Sequence, residues 1–473
     1  MMPAKALTTP AGGDARAAAS ARILATALSI CGFALTALIL PSDDIANVFR
    51  TAGIGVGLTL VIATGIEARP GFRNLLRVDI LIVWVLYGLT FFEFLFPQTG
   101  VDALISVDGA INGTYATLVG FSGIFLGRHL IGLRPTTIES RAPSRMSKTS
   151  LFAFFVFSAI IGYLHILIGV NFDPFEMIRQ MALPRFSQSW ARGQFGGVYS
   201  LLYELGLFIY LIPPLAGAMY ARRSEYGLVQ KFFVFCVLLL TFYAGFAGGT
   251  RNVIVIYTLT FMGCYFLTKP EIKVGRMVIQ GGVTLAVLLA ATAYMLEFRQ
   301  AGLGEFSPDR RQYETVFIDH NMVNLSRLVE LFPSSYGFLG LEVPFNVLVR
   351  PIPRVFWPEK PEGLSTSIET ALGVRDMTIS STFVGEAYMA GGIWIVLLTG
   401  ALFGMAAAMW NRVGRAANSP LGQVLYASGF ACAAISMRSV FSMMPMILPT
   451  VVIWIFMKVA DARRQPKIGR SSL

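Results

Sequence analysis

Arg251, Arg354 and Lys360 are the cations of this 473-residue sequence whose settings best suit an anionic ligand. Arg354 and Lys360 belong to Arg350-Pro351-Ile352-Pro353-Arg354-Val355-Phe356-Trp357-Pro358-Glu359-Lys360-Pro361, where three cations and four prolines share twelve residues. Proline fixes φ and removes a backbone donor, which excludes helix and predicts one rigid, extended segment. Arg350, Arg354 and Lys360 beside Trp357 would then suit a ligand both anionic and amphipathic. A structural turn touching lipid phosphates is the competing reading. Arg251 follows Phe246-Ala247-Gly248-Gly249-Thr250 and precedes an apolar run, so it should open a helix after a tight glycine turn. Its charge there adds to the positive end of the helix dipole, a setting for phosphate or pyrophosphate. An arginine snorkelling to lipid headgroups would occupy the same place.

Proton transfer needs a base, and two residues compete for the role, His320 and Glu386. Ile318, Met322, Leu325, Val329 and Phe332 recur at spacings of four and three, which predicts an amphipathic helix over 317–332. His320, Asn324 and Arg327 share its other face. Glu386 lies in Gly385-Glu386-Ala387-Tyr388, where partial desolvation would suit a base or an acceptor-hydroxyl contact. An interhelical hydrogen bond would explain that carboxylate equally well. Glu93 and Glu204 are the other carboxylates at membrane depth. Arg179, Arg185 and Arg192, with Trp190 and Phe195, form a further basic and aromatic group that fits a sugar phosphate or lipid headgroups alike. No P-loop, dinucleotide fingerprint or HExxH zinc motif is present, so no metal ligand and no cofactor is expected.

These residues must be positioned by an apolar scaffold. The chain is 55% hydrophobic and 14% charged, with a mean hydropathy of +0.63, which excludes an ordinary soluble domain. Runs of spanning length recur near 21–40, 47–66, 78–97, 112–131, 150–170, 199–220, 231–248, 252–268, 277–296, 384–410, 421–437 and 439–458. The expected fold is an all-α polytopic membrane protein of about twelve transmembrane helices. Residues 1–20 form a polar tail, and the apolar run from 23 to 40 exceeds a signal-peptide core, so an uncleaved anchor is expected. Cys31, Cys236, Cys264 and Cys432 all fall in apolar runs and read as small hydrophobes.

Alternate connections, namely the N-terminal tail, 67–77, 128–149, 221–231, 268–276, 411–420 and the tail 459–473, hold most of the 38 Lys and Arg. By the positive-inside rule both termini are cytoplasmic. The net charge of +11 therefore reflects membrane orientation and calls for no nucleic acid. Helices one to nine fall in 21–296 with an outer loop at 171–197, and the last three fall in 383–458. Between them lies a long outer loop, 297–382, the expected catalytic segment, since loops of this length are usually functional. No internal repeat is visible, which weighs against a transporter built from two similar halves.

Gly249-Thr250-Arg251-Asn252, Ile352-Pro353-Arg354 with Trp357-Pro358-Glu359-Lys360-Pro361, and Ser381-Thr382-Phe383-Val384-Gly385-Glu386-Ala387-Tyr388 with Gly391-Gly392 together resemble the Wzy-type oligosaccharide repeat-unit polymerases. Arg185 followed by Gly196 matches a loose spacing found in some of them. The resemblance covers roughly 245–395. It implies a fold like the GT-C membrane glycosyltransferases in a bacterial inner membrane, active at the periplasmic face. The implied reaction transfers a growing glycan from undecaprenyl pyrophosphate to a lipid-linked repeat unit, without metal and with inversion. Arg251, Arg354 and Lys360 would stabilise the departing pyrophosphate, with Arg350, Arg185, Arg327, Trp357 and Tyr388 contacting substrate. Glu386 or His320 would take the proton. The implied partners are lipid-linked donor and acceptor, membrane lipids and a polysaccharide chain-length regulator. Two rivals stay open: an O-antigen ligase using a lipid A-core acceptor, and a flippase of lipid-linked sugars.

Overall fold

The structure is a computed structural model that describes residues 12–98, 100–131, 148–190, 202, 204–249, 251–269, 274–303, 318–352, 354, 356–361, 363–373, 379–416 and 419–462. Arg192, Phe195, Gly196, Thr250, Pro353 and most of the tails lie outside the described residues. The described residues form helices, turns and irregular segments, with no strand among them.

The helices, in chain order, are α1 (Gly12–Leu38), α2 (Ile45–Ala68), α3 (Val78–Thr90), α4 (Val107–Gly127), α5 (Lys148–Gly169) and α6 (Pro174–Met181). Next come α7 (Ile212–Ala221), entered through the 3-10 segment Gly206–Leu211, then α8 (Leu228–Ala247), α9 (Arg251–Thr268) and α10 (Val274–Ala301). The loop region holds α11 (Asn321–Leu331), α12 (Glu342–Val349) and the single turn α13 (Ile368–Ala371). The chain then runs through α14 (Thr382–Ala416), α15 (Pro420–Arg438) and α16 (Val440–Ala462). Eight of these, α1, α2, α5, α8, α9, α14, α15 and α16, contain stretches long and apolar enough to cross a membrane. Val78–Thr90 and Gly206–Ala221 are apolar but shorter. This makes the chain a multi-pass membrane protein. It also shortens the expected third and sixth spans: α3 ends at Thr90, and Phe92–Leu95 continues as a 3-10 turn.

α4 sits centrally, packed by α1, α2, α11 and most extensively by α14. Glycine allows that last approach. A methyl group on Gly400 would stand 2.6 Å from the Gly120 carbonyl oxygen, and one on Gly404 would collide with the Ile124 carbonyl and stand 2.9 Å from the Arg128 amide. Helices in lipid associate through such small-residue faces. Gly404→Val should therefore cost at least the ~1–3 kcal/mol of an overpacked core. It should appear as a lowered thermal midpoint of the purified protein, and an unchanged midpoint would refute the close approach.

At one end of the bundle the ends of α1 to α4 and α14 meet in a buried charge network. Arg128, 2% exposed, places Nη1 2.6 Å from Glu67 Oε1 and 3.3 Å from Asp79 Oδ2. Arg77 pairs with Glu67 at 2.7 Å and with Asp79, closing a cycle of two cations and two anions. Arg128 also donates to Thr26 Oγ1 and the Arg22 carbonyl, while Asn411 donates to Asp79. Thr26 pairs in turn with His129, 2.7 Å away.

At the opposite end α14 breaks. Gly391 and Gly392 leave helical geometry, and Gly392 has φ 71°, where a side chain is strained. A methyl group there would also stand 3.1 Å from Phe338. The break strips the Met389 and Ala390 carbonyls of helical donors, and the amides of Leu339 and Gly340 donate to them at 2.9 Å each. The loop before α12 is thereby stitched to the membrane helix that follows the loop region.

Candidate functional site

The site is built around the turn 318–320 at this loop end. Periodicity predicted a helix from residue 317, but α11 starts only at Asn321, because Asp319 (φ 61°) and His320 (φ 47°) are both left-handed. Two consecutive non-glycine residues in that region cost free energy that the surroundings must offset, a pattern typical of functional sites. What holds the turn is Glu93. Its side chain is fully buried, and its carboxylate accepts the Ile318 amide. Asn321 donates to the Leu89 carbonyl, and Asn324 donates to the carbonyls of Asp319 and Ser380.

His320 stacks on Phe94 with ring centroids 6.4 Å apart, and its Nε2 lies 3.3 Å from Gln98 Oε1. The Gln98 amide nitrogen donates to the Glu93 carbonyl, which assigns oxygen to the side facing the imidazole. Nε2 is therefore the protonated nitrogen, and Nδ1 carries the lone pair. Burial lowers the His320 pKa below 6.5, opposed by the Asp319 carboxylate, so the ring is neutral at pH 7.

Arg251 reaches this cluster from the helix start at which the sequence placed it. α8 closes at Ala247, Gly249 turns the chain at φ 60°, and Arg251 is the first residue of α9. Its charge acts on the Glu93 carboxylate. On the other flank of the turn, Arg438 at the end of α15 approaches Asp319 Oδ2 at 3.4 Å, and Ser380 donates to the Arg438 carbonyl. Sequence reasoning missed Glu93 as the organiser of the turn, and Asp319 and Arg438 entirely. The only local signal was an arginine separating two apolar runs.

Glu386 is buried, and its carboxylate is engaged by the start of α16. The Ser439 hydroxyl donates to Oε1 and the Val440 amide to Oε2, each at 2.6 Å. The carboxylate thus caps the N-terminus of α16, where an anion complements the helix dipole. This geometry matches the interhelical-bond reading of Glu386.

The proline-rich segment lies farther along the same end. Arg350 caps α12, stacks over Phe441 at 5.8 Å, and its charge acts on Glu386. The described residues of 351–361 form successive turns, in place of the extended segment expected: Ile352 N donates to Val349 O, and Lys360 N to Trp357 O. Lys360 Nζ donates to the Arg350 and Ile352 carbonyls at 2.8 and 2.9 Å, so it staples its own loop. Burial, then the charges of Arg350 and Arg354, lower its pKa. Arg354 is exposed and Trp357 half-buried.

The remaining expected contacts separate. Arg327 donates to the Leu372 carbonyl at 3.0 Å and so faces α13. Tyr388 packs edge-on against Phe338 beside the α14 break. Arg185 lies in the turn Arg185–Ser187, a segment tied to the end of α10 by the Leu303 amide donating to the Ala182 carbonyl. Among the described residues no cluster of three His, Cys, Asp or Glu could hold a metal ion. No protein-family model, curated protein or solved structure matches the chain.

Proposed function

We propose that the chain polymerises polyprenyl-pyrophosphate-linked oligosaccharide repeat units, as its motif resemblance implies. The observation that carries this reading is the turn 318–320, where the neutral His320 imidazole follows Asp319, the partner of Arg438, and where Glu93, which holds the turn, meets the charge of Arg251. In this scheme the acceptor hydroxyl oxygen forms a bond to the anomeric carbon of the donor. The bond from that carbon to the pyrophosphate oxygen breaks, its electron pair leaving with the pyrophosphate. The hydroxyl proton passes to His320 Nδ1. Arg251 stabilises charge developing on the leaving group, and Arg350, Arg354 and Lys360 supply a positive rim along the route in. The reading carries with it about twelve spans in a GT-C-like bundle, cytoplasmic termini and a periplasmic loop end, in line with the positive-inside rule.

The test is purified protein in detergent with lipid-linked repeat units alone. A ladder of longer glycans with release of polyprenyl pyrophosphate is the expected result. Transfer only when a lipid A-core acceptor is added would make the protein a ligase, and lipid movement across vesicles without transfer would make it a flippase.

The pH profile gives a second check. A base must be unprotonated, so activity should fall as pH drops through the His320 pKa, and burial sets that below 6.5. The acid limb should therefore have its midpoint below pH 6.5. Asp319→Asn removes the charge that raises this pKa, so it should move the limb further down. A limb that stays in place in His320→Gln would assign it to another group.

A further inference from the structure

We infer that Arg438 is the second arm of the pyrophosphate clamp, and that Asp319 is a resident carboxylate which the ligand's phosphate displaces. The inference rests on the proposed reading and deepens it, since neither residue belongs to the motifs that carry the resemblance.

Three observations support it. The first is the placing of the two arginines. α9 and α15 pack directly, with Ile256 against Ala431 and Ala434. Arg438 lies one turn beyond Ala434 on the same face, and Arg251 just over one turn before Ile256. Both arginines therefore stand at the same end of one helix pair, Arg251 acting on Glu93, which holds the turn 318–320, and Arg438 meeting Asp319 within it. The second is the coordination of Arg438. Its contact with Asp319 is single and long, 3.4 Å, and its Nε is buried without a hydrogen-bond partner. A guanidinium presents a fork of donors that matches phosphate oxygens in pairs, so a one-pronged contact leaves most of that capacity for a ligand. The third is the strain at Asp319, whose left-handed backbone brings its carboxylate to the arginine. Rigid helix ends hold the cations, while a strained turn holds the carboxylate.

A diphosphate presents more acceptor oxygens and more charge than one carboxylate, so exchange favours the ligand. The exchange would free Asp319 beside His320, coupling occupation of the clamp to the surroundings of the base.

Equilibrium binding of polyprenyl pyrophosphate to the full chain in detergent tests this without requiring turnover. Arg438→Gln should weaken binding by about tenfold or more, the scale of one charge-assisted contact. Asp319→Asn should instead tighten it several-fold, although a merely structural ion pair would lose affinity when broken. In the double variant the gain from Asp319→Asn should vanish. Wild-type affinity in a folded Arg438→Gln protein, or weaker binding in Asp319→Asn, overturns the proposal. Asp319→Asn keeps the arginine in place, so the test survives if Arg438→Gln does not fold. Binding that follows this pattern without any glycan ladder would keep the clamp and discard the polymerase reading.

Discussion

Arg128→Met should leave almost no folded protein in the membrane. Arg128 is the hub of a four-charge cycle with Glu67, Asp79 and Arg77, and nothing but protein surrounds it. Removing one cation strands an uncompensated anion among five helix ends. Breaking a buried pair in this way costs about 3–5 kcal/mol. Total stabilities are only about 5–15 kcal/mol, so the loss is a large share of the whole. The hydrogen bonds to Thr26 and the Arg22 carbonyl go as well, which loosens α1. Monodisperse yield after detergent extraction is the readout. Arg128→Met combined with Glu67→Gln restores charge balance and should recover part of that yield. If the single variant extracts normally, the network carries little of the fold.

Arg251→Ala should act in the opposite manner, with normal membrane levels and almost no polymer. Arg251 is half-buried at the first turn of α9, where its charge meets Glu93. The helix itself does not need it, since a cation at a helix N-terminus opposes the dipole. Under the proposed function its worth lies in meeting an incoming anion. Loss of one such preorganised donor costs on the order of 10²–10³-fold in rate. Arg251→Lys should stay impaired, because an ammonium keeps the charge but loses the planar fork. Polymer at wild-type length and amount in Arg251→Ala would remove this arginine from the mechanism.

The scaffold could be read from the sequence because its cause is local. Apolar runs and proline or glycine breaks act over a few residues, so α1, α2, α5, α8, α9 and the last three helices fall where the runs predicted them. The Gly248-Gly249 turn that delivers Arg251 was legible for the same reason. The roles of the charged residues were not. Arg128 and Glu67 are 61 residues apart, Asp319 and Arg438 are 119, and Glu386 meets Val440 across 54. No periodicity links such pairs. Lys360 shows the same limit within one segment: its composition suggested a free cation, whereas two carbonyls eight and ten residues back hold its ammonium. The left-handed pair Asp319-His320 lay hidden behind a helical pattern that begins at 317, whereas the helix itself starts only at Asn321.

The two hydrogen bonds from Leu339 and Gly340 into the broken turn of α14 have a mechanical consequence. A carbonyl that accepts from the loop is one the helix has given up, so straightening α14 at Gly391-Gly392 and lifting the loop are one motion. Hydrogen exchange would register it as simultaneous loss of protection at residues 339 and 340. The loop end would then open as a hinged panel, with Gly392 as its pin and the distant buried charge cycle as its fixed frame.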